Sequence, residues 1–361
     1  MSDQLFSPVK FGDTELKNRI VMAPLTRARA GEQGIPGSLM AEYYAQRASS
    51  GLIIAEATAI SADGRGWINS PGMFNDAQQA GWKKVADAVH QQGGKIFVQL
   101  WHMGAAVHPD FIEGRQPVSA SDVPLEGVLA TPAGRDRPLV APRPLTIDEI
   151  DNIVQQFAQA SRRAIDAGID GVEIHGANGF LIDQFTRDST NKRTDQYGGP
   201  ISNRLRFMEQ VVKAVTDEIG ARKTAIRLSP TNQIWGISDS SYRETFLQAV
   251  KMLEPYGLAY LHLLEPKPDS GHAMPTIDYL TPEIRQQYSG TLLLNGGYDK
   301  VRASEAVDRQ QGEAIAFGFP FIANPDFAER LKEDIPLSEP DPQYFYSGEA
   351  KGYTDYPFAT R

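Results

Sequence analysis

The chain has 361 residues, 45 of them acidic and 36 basic, with a formal charge of −9 and no cysteine. The acidic balance, with no Lys/Arg block against it, argues against nucleic acid or a membrane surface, so small molecules are the expected partners of a monomer or homodimer. Without cysteine there are no disulfides, thiolate nucleophiles or zinc–thiolate sites, and with neither a signal-peptide pattern in MSDQLFSPVKFGD nor an apolar run near the ~18 residues of a spanning helix, a cytoplasmic location is expected.

In chain order, LFSPVKFGDTELKN before Arg19 reads as a β-hairpin, and RIVMAP (19–24) as a first buried strand followed by the helical SLMAEYYAQRAS. LIIAEAT (52–58) is a second strand, and the helix DAQQAGWKKVADAVHQQG after it runs into a Gly pair, a stop signal. KIFVQLWH (95–102) is the third. Residues 104 to 145 are rich in Pro and Gly and read as an excursion over one face. The next helix, TIDEIDNIVQQFAQASRRAIDAG, opens with Thr146 and Glu149 at capping-box spacing. GVEIHGAN (171–178), TAIRLSP (224–230), YLHLLEP (260–266), TLLLNGG (291–297) and AIAFGF (314–319) complete eight strands. They alternate with NRLRFMEQVVKAVTDEIG, SYRETFLQAVKMLEPYG, TPEIRQQY, VRASEAVDRQ and NPDFAERLKE.

Strands that are almost continuously apolar, each followed by an amphipathic helix, predict a (β/α)8 TIM barrel forming one domain over 1–361, with the hairpin plugging its bottom. A doubly wound sheet is the alternative; the lack of a Gly-x-Gly-x-x-Gly or Walker motif after any strand weakens it.

Catalytic groups of such barrels gather at the C-terminal strand ends. Here those ends carry Pro24, Leu25 and Thr26; Ala57 and Thr58; Gln99, Trp101 and His102; His175 and Asn178; Arg227; Asn295, Gly296 and Gly297; and Gly318. The set holds hydrogen-bond donors, one fixed cation and small residues. It has no lysine for a Schiff base. A metal site could be assembled only from His102, His175, Glu56 and Glu173, which no ligand motif links. Small residues after the last two strands suit close backbone approach to a phosphate. Thr26 and Gln99 suit the polar edge of a planar heterocycle. Flavin mononucleotide (FMN) fits both demands.

MAPLTRARA (22–30), EYYAQRAS (42–49), VQLWHMG (98–104), EIHGANGFLIDQF (173–185), NKRTDQYGG (191–199), AFGFPFIANPD (316–326) and GYTDYPF (352–358) together resemble the Old Yellow Enzyme family of flavin-dependent ene-reductases, over nearly the whole chain. The resemblance implies non-covalent FMN, reduced by NADPH or NADH, then oxidised by an electron-poor alkene at the same site. It implies that Thr26 meets the flavin C4 carbonyl and N5, that Gln99 reads the pyrimidine edge, and that Arg227 meets the N1–C2 edge. Pro24, Leu25 and Ala57 supply backbone contacts. Asn295, Gly296, Gly297, Gly318 and Phe319 fall in the phosphate region. Trp67, Trp101 and Tyr353 line the substrate space, and His175 with Asn178 grips the substrate's activating oxygen.

Two positions depart from the family pattern. Phe319 stands where an arginine would bond the phosphate, and Phe180 where a tyrosine would donate a proton to the α-carbon. The expected activity is reduction of α,β-unsaturated carbonyls or related activated alkenes. Nitro-group or other flavin reductase chemistry at the same site, and a non-catalytic flavin-binding protein, are the alternatives.

Overall fold

A computed structural model describes residues 3–266 and 279–359. The hairpin comes first, β1 (Val9–Phe11) against β2 (Thr14–Leu16). The barrel strands β3 (Ile20–Met22), β4 (Leu52–Ala59) and β5 (Ile96–Trp101) follow. Four short strands, β6 (Val118–Ser119), β7 (Val128–Thr131), β8 (Gly134–Pro138) and β9 (Arg143–Pro144), lie in the excursion. Strands β10 (Gly171–His175), β11 (Thr224–Leu228), β12 (Tyr260–Leu264), β13 (Leu292–Asn295) and β14 (Ala314–Phe317) complete the barrel. All eight barrel pairings are parallel, and the last strand closes on the first through Ile315 and Ile20, as the alternation predicts.

Helices follow the barrel strands, and most bury one face, while the one over Leu181–Thr186 is buried along its whole length. The helices are α1 (Ser38–Gln46), α2 (Asp76–Gln91), α3 (Ile147–Asp166), α4 (Leu181–Thr186), α5 (Ile201–Arg204), α6 (Arg206–Ile219), α7 (Tyr242–Leu253), α8 (Thr281–Gln287), α9 (Lys300–Asp308), α10 (Phe319–Ala323) and α11 (Phe327–Glu333). The capping box forms at the start of α3: Thr146 accepts from the Glu149 backbone, and Glu149 accepts from the Thr146 backbone. AIAFGF does not run as one strand. The sheet ends at Phe317, and Phe319 opens α10. No helix among the described residues is long and apolar enough to cross a membrane.

The hairpin fills the barrel from below. Phe11 and Leu16 pack with the inward side chains Val21, Leu52, Phe97, Tyr260, Leu293 and Ala314. Its turn depends on Gly12, at φ +54°, where a Cβ would fall 1.9 Å from the Arg222 carbonyl oxygen. Gly12→Ala therefore adds left-handed strain to a backbone clash and is expected to cost about 2–5 kcal/mol. The urea midpoint should fall in proportion; an unchanged midpoint would mean that the plug is not seated this way.

Candidate active site

Above the plug the barrel interior turns polar. Gln99 on β5, Glu173 on β10 and His262 on β12 are all buried. Gln99 donates through Nε2 to Glu173 Oε1 at 2.7 Å, and His262 Nδ1 lies 2.8 Å from Glu173 Oε2. Arg227 on β11, also buried, donates to Asn295 Oδ1 at 2.8 Å, and Asn295 Nδ2 donates to the Ala316 carbonyl. The Asn295 side chain is thus tied to Arg227 through Oδ1 and to the Ala316 carbonyl through one of its two amide hydrogens. Arg227 Nε is buried with no partner. A buried donor left unmatched costs free energy, so this atom favours a ligand acceptor.

The turn after β10 presents His175, Asn178 and Phe180. Asn178 adopts left-handed backbone at φ 58°. Its N–H donates to Ser229 Oγ at 2.8 Å, and its Oδ1 accepts from Asn232 Nδ2 at 2.9 Å, which leaves its own Nδ2 free to donate. The His175 Nδ1 accepts from the Ala177 backbone at 3.3 Å, so a neutral ring carries its proton on Nε2. Burial, with the Arg227 and His262 side chains nearby, holds the His175 pKa well below the usual histidine range and keeps it neutral. The rest of the motif braces this turn. Asp183 accepts from the Gly179 N–H and from Arg187 Nε, while Gln184 donates to the Met103 and Gly179 carbonyls.

Trp101, Ala57 and Phe180 form an apolar cluster with excursion residues such as Val107 and Ile112, and Trp67 packs against it. The Phe180 ring stands edge-on to Trp101, centroids 4.8 Å apart, and edge-on to His175 at 4.9 Å. Tyr353 does not join this wall. It is buried in the main core, stacked on Tyr43 at 4.0 Å and covered by the Arg27 and Arg29 guanidinium groups. The tail tyrosine at the wall is Tyr346, 5.3 Å from Trp67 and 52% exposed. Arg27 and Arg29 hold that tail by donating to the Phe345 carbonyl at 3.0 and 2.8 Å, and Arg27 also donates to the Gly352 carbonyl at 2.8 Å.

Pro24, Leu25 and Thr26 are half-buried in the loop after β3, and the Thr26 hydroxyl has no hydrogen bond among the described residues. At the ends of β13 and β14, Gly296 is needed for packing, since a Cβ there would meet Glu265 Cβ at 2.9 Å. Gly297 is exposed, and Gly318 leads into α10. Phe319 is 61% exposed, with its edge toward Phe345, and brings no charge. The cation at this loop is Arg302 on α9, which donates to the Gly297 carbonyl at 2.9 Å. Sequence reading missed Arg302, Tyr346 and Asn232.

The remaining metal candidates are committed to structure. Glu56 accepts from the Arg27 N–H and the Tyr44 hydroxyl, and His102 Nδ1 accepts from the Gly104 N–H. Among the described residues no three His, Asp or Glu side chains converge on a metal-sized point. FMN is a better match to the donor set. Gln99 keeps Oε1 for a ring N–H, Arg227 Nε needs an acceptor, and the Thr26 hydroxyl is uncommitted.

The family model described as NADH:flavin oxidoreductase / NADH oxidase family matches residues 4–338. The chain is 41% identical to a protein named flavin oxidoreductase hxnT from Emericella nidulans, with 99% of this chain and 98% of the relative covered. Its structure is similar to that of the old yellow enzyme homologue from Zymomonas mobilis, with TM-score 0.95, 45% identity, and 98% and 99% of the two chains covered. A structure of morphinone reductase in complex with tetrahydroNAD matches with TM-score 0.94 and 44% identity over 99% of this chain and 98% of that one. The chain belongs to the NADH:flavin oxidoreductase / NADH oxidase family, the Old Yellow Enzyme family that its motifs resemble, and is an oxidoreductase with FMN as its cofactor.

Proposed function

We propose that the protein is an ene-reductase that takes hydride from NADPH or NADH and delivers it to the β-carbon of α,β-unsaturated carbonyls or related activated alkenes, both at one site. The observation that carries this reading is the pair His175 and Asn178. Each has one polar side-chain atom tied down by the protein and one nitrogen left to donate. Hydride arriving at a β-carbon drives negative charge onto the substrate oxygen, and two fixed N–H donors stabilise that charge more than they stabilise the uncharged carbonyl.

Bound FMN supplies the hydride chemistry. In this reading Thr26 donates at the C4 carbonyl and N5, Gln99 reads the pyrimidine edge, and Arg227 steadies charge at the N1–C2 edge. Backbone at Pro24, Leu25 and Ala57 would contact the ring. Backbone at Gly296, Gly297 and Gly318 would hold the phosphate, while Phe319 could contribute no ionic bond there. Trp67, Trp101, Phe180 and Tyr346 bound the substrate and exclude water. A phenylalanine at 180 has no proton to give, which favours a second reading: nitro-group or other reductions at this site that need no acid at that point.

The purified protein is expected to be yellow and to release FMN, not FAD, on acid treatment. NADPH or NADH should bleach it without oxygen, and cyclohexenone should restore the colour. A protein that takes up FMN and is bleached, yet is never reoxidised by any activated alkene, would overturn the ene-reductase reading and leave the second one. One that stays colourless with excess FMN would overturn both.

A further inference from the structure

Glu173 has no part in the reaction as described so far, yet it sits wholly inside the barrel with both carboxylate oxygens bonded. A buried carboxylate is costly unless a cation and hydrogen bonds match it. Arg227, on the neighbouring strand and bonded to Asn295 and not to Glu173, supplies positive charge nearby, and Gln99 and His262 supply the bonds. His262 is equally buried; its Nδ1 faces Glu173, and its Nε2 has no partner. Because Gln99 Nε2 is bound to a carboxylate, its amide cannot flip without setting oxygen against oxygen. The carboxylate therefore determines which end of the Gln99 amide remains for a ligand, and it opposes the charge that Arg227 presents.

We propose that Glu173 and His262 are a positioning pair beneath the flavin, which orients Gln99 and partly offsets Arg227, and so sets how much more tightly reduced than oxidised FMN is held. This rests on the reading that Gln99 and Arg227 face the pyrimidine edge. Removing the Glu173 charge leaves Arg227 unopposed, which favours the more negative reduced ring.

Two variants of the FMN-loaded protein separate charge from position. Glu173→Gln keeps an oxygen for Gln99 and loses the charge. The ratio of reduced to oxidised FMN affinity should rise at least tenfold, read by dye equilibration as a potential about 30 mV higher for the two-electron couple. Glu173→Asp keeps the charge and draws the carboxylate away from both partners. Oxidised FMN should then bind at least tenfold more weakly, by fluorescence of released flavin, with a smaller change in potential. An unshifted potential in the Gln variant, or unchanged FMN affinity in the Asp variant, overturns the proposal, and either result alone suffices if the other variant does not fold. Wild-type protein that binds no FMN would instead overturn the functional reading beneath it.

Discussion

Asn178→Ala is expected to slow alkene reduction by about 100–1,000-fold while FMN stays bound. The size follows from what is lost. In the proposed reading Asn178 Nδ2 is one of two donors for the developing charge, and Asn232 donates to the Asn178 Oδ1, which leaves the nitrogen free to donate. A donor held before reaction begins need not reorganise as the charge appears, which is why its loss falls on the transition state. Phenols test the same contact without chemistry, since a bound phenolate carries its charge where the substrate oxygen would. Phenol affinity, titrated through the flavin spectrum, should drop in the variant along with cyclohexenone turnover. Unchanged affinity and turnover would remove Asn178 from the site. Flavin reduction alone is a weaker probe, because nicotinamide has no oxyanion to stabilise.

Phe180→Tyr is expected to accelerate product protonation for nitroalkenes while leaving flavin reduction by NADPH nearly unchanged. A positioned acid contributes ~100–10,000-fold, and the present ring contributes none. The ring is held edge-on to both Trp101 and His175, so an added hydroxyl would be presented by a fixed ring. Hydride transfer and protonation are separable steps. With strongly stabilised anions the present protein should show flavin reoxidation before product appears in stopped-flow traces, and the tyrosine variant should shorten that lag. Identical lags in the two proteins, or none in either, would mean that another group protonates the α-carbon.

The barrel strands were legible because both faces of each are covered, which makes them read as unbroken apolar runs. The excursion strands were not. Val118–Ser119 and Arg143–Pro144 are two residues each, and Gly134–Pro138 is largely exposed, so none carries a two-residue apolar alternation. The boundary at Gly318 was hidden within AIAFGFPFIA, where strand and helix are equally apolar. Arg227, His175 and Asn178 could be found from their places at strand ends. Tyr346 could not, because which tail tyrosine faces the mouth is decided by Arg27 and Arg29, more than 300 positions away in sequence. Asn232 had only one signal, its place in the loop following the fifth barrel strand. Glu173 stood out in the sequence only as one of four unlinked metal candidates, because its bonds to Gln99 and His262 join strands 74 and 89 positions apart.

The anchoring of the tail by Arg27 and Arg29 bears on the order of assembly. All eight strands can pair once the chain has been synthesised through Phe317, and β14 then finds β3. The substrate wall has to wait. Tyr346 is placed only when the segment from Tyr344 to Gly352 lays its carbonyls on Arg27 and Arg29, in the loop after the first barrel strand. A nascent chain can thus hold a closed barrel before it holds a finished substrate wall.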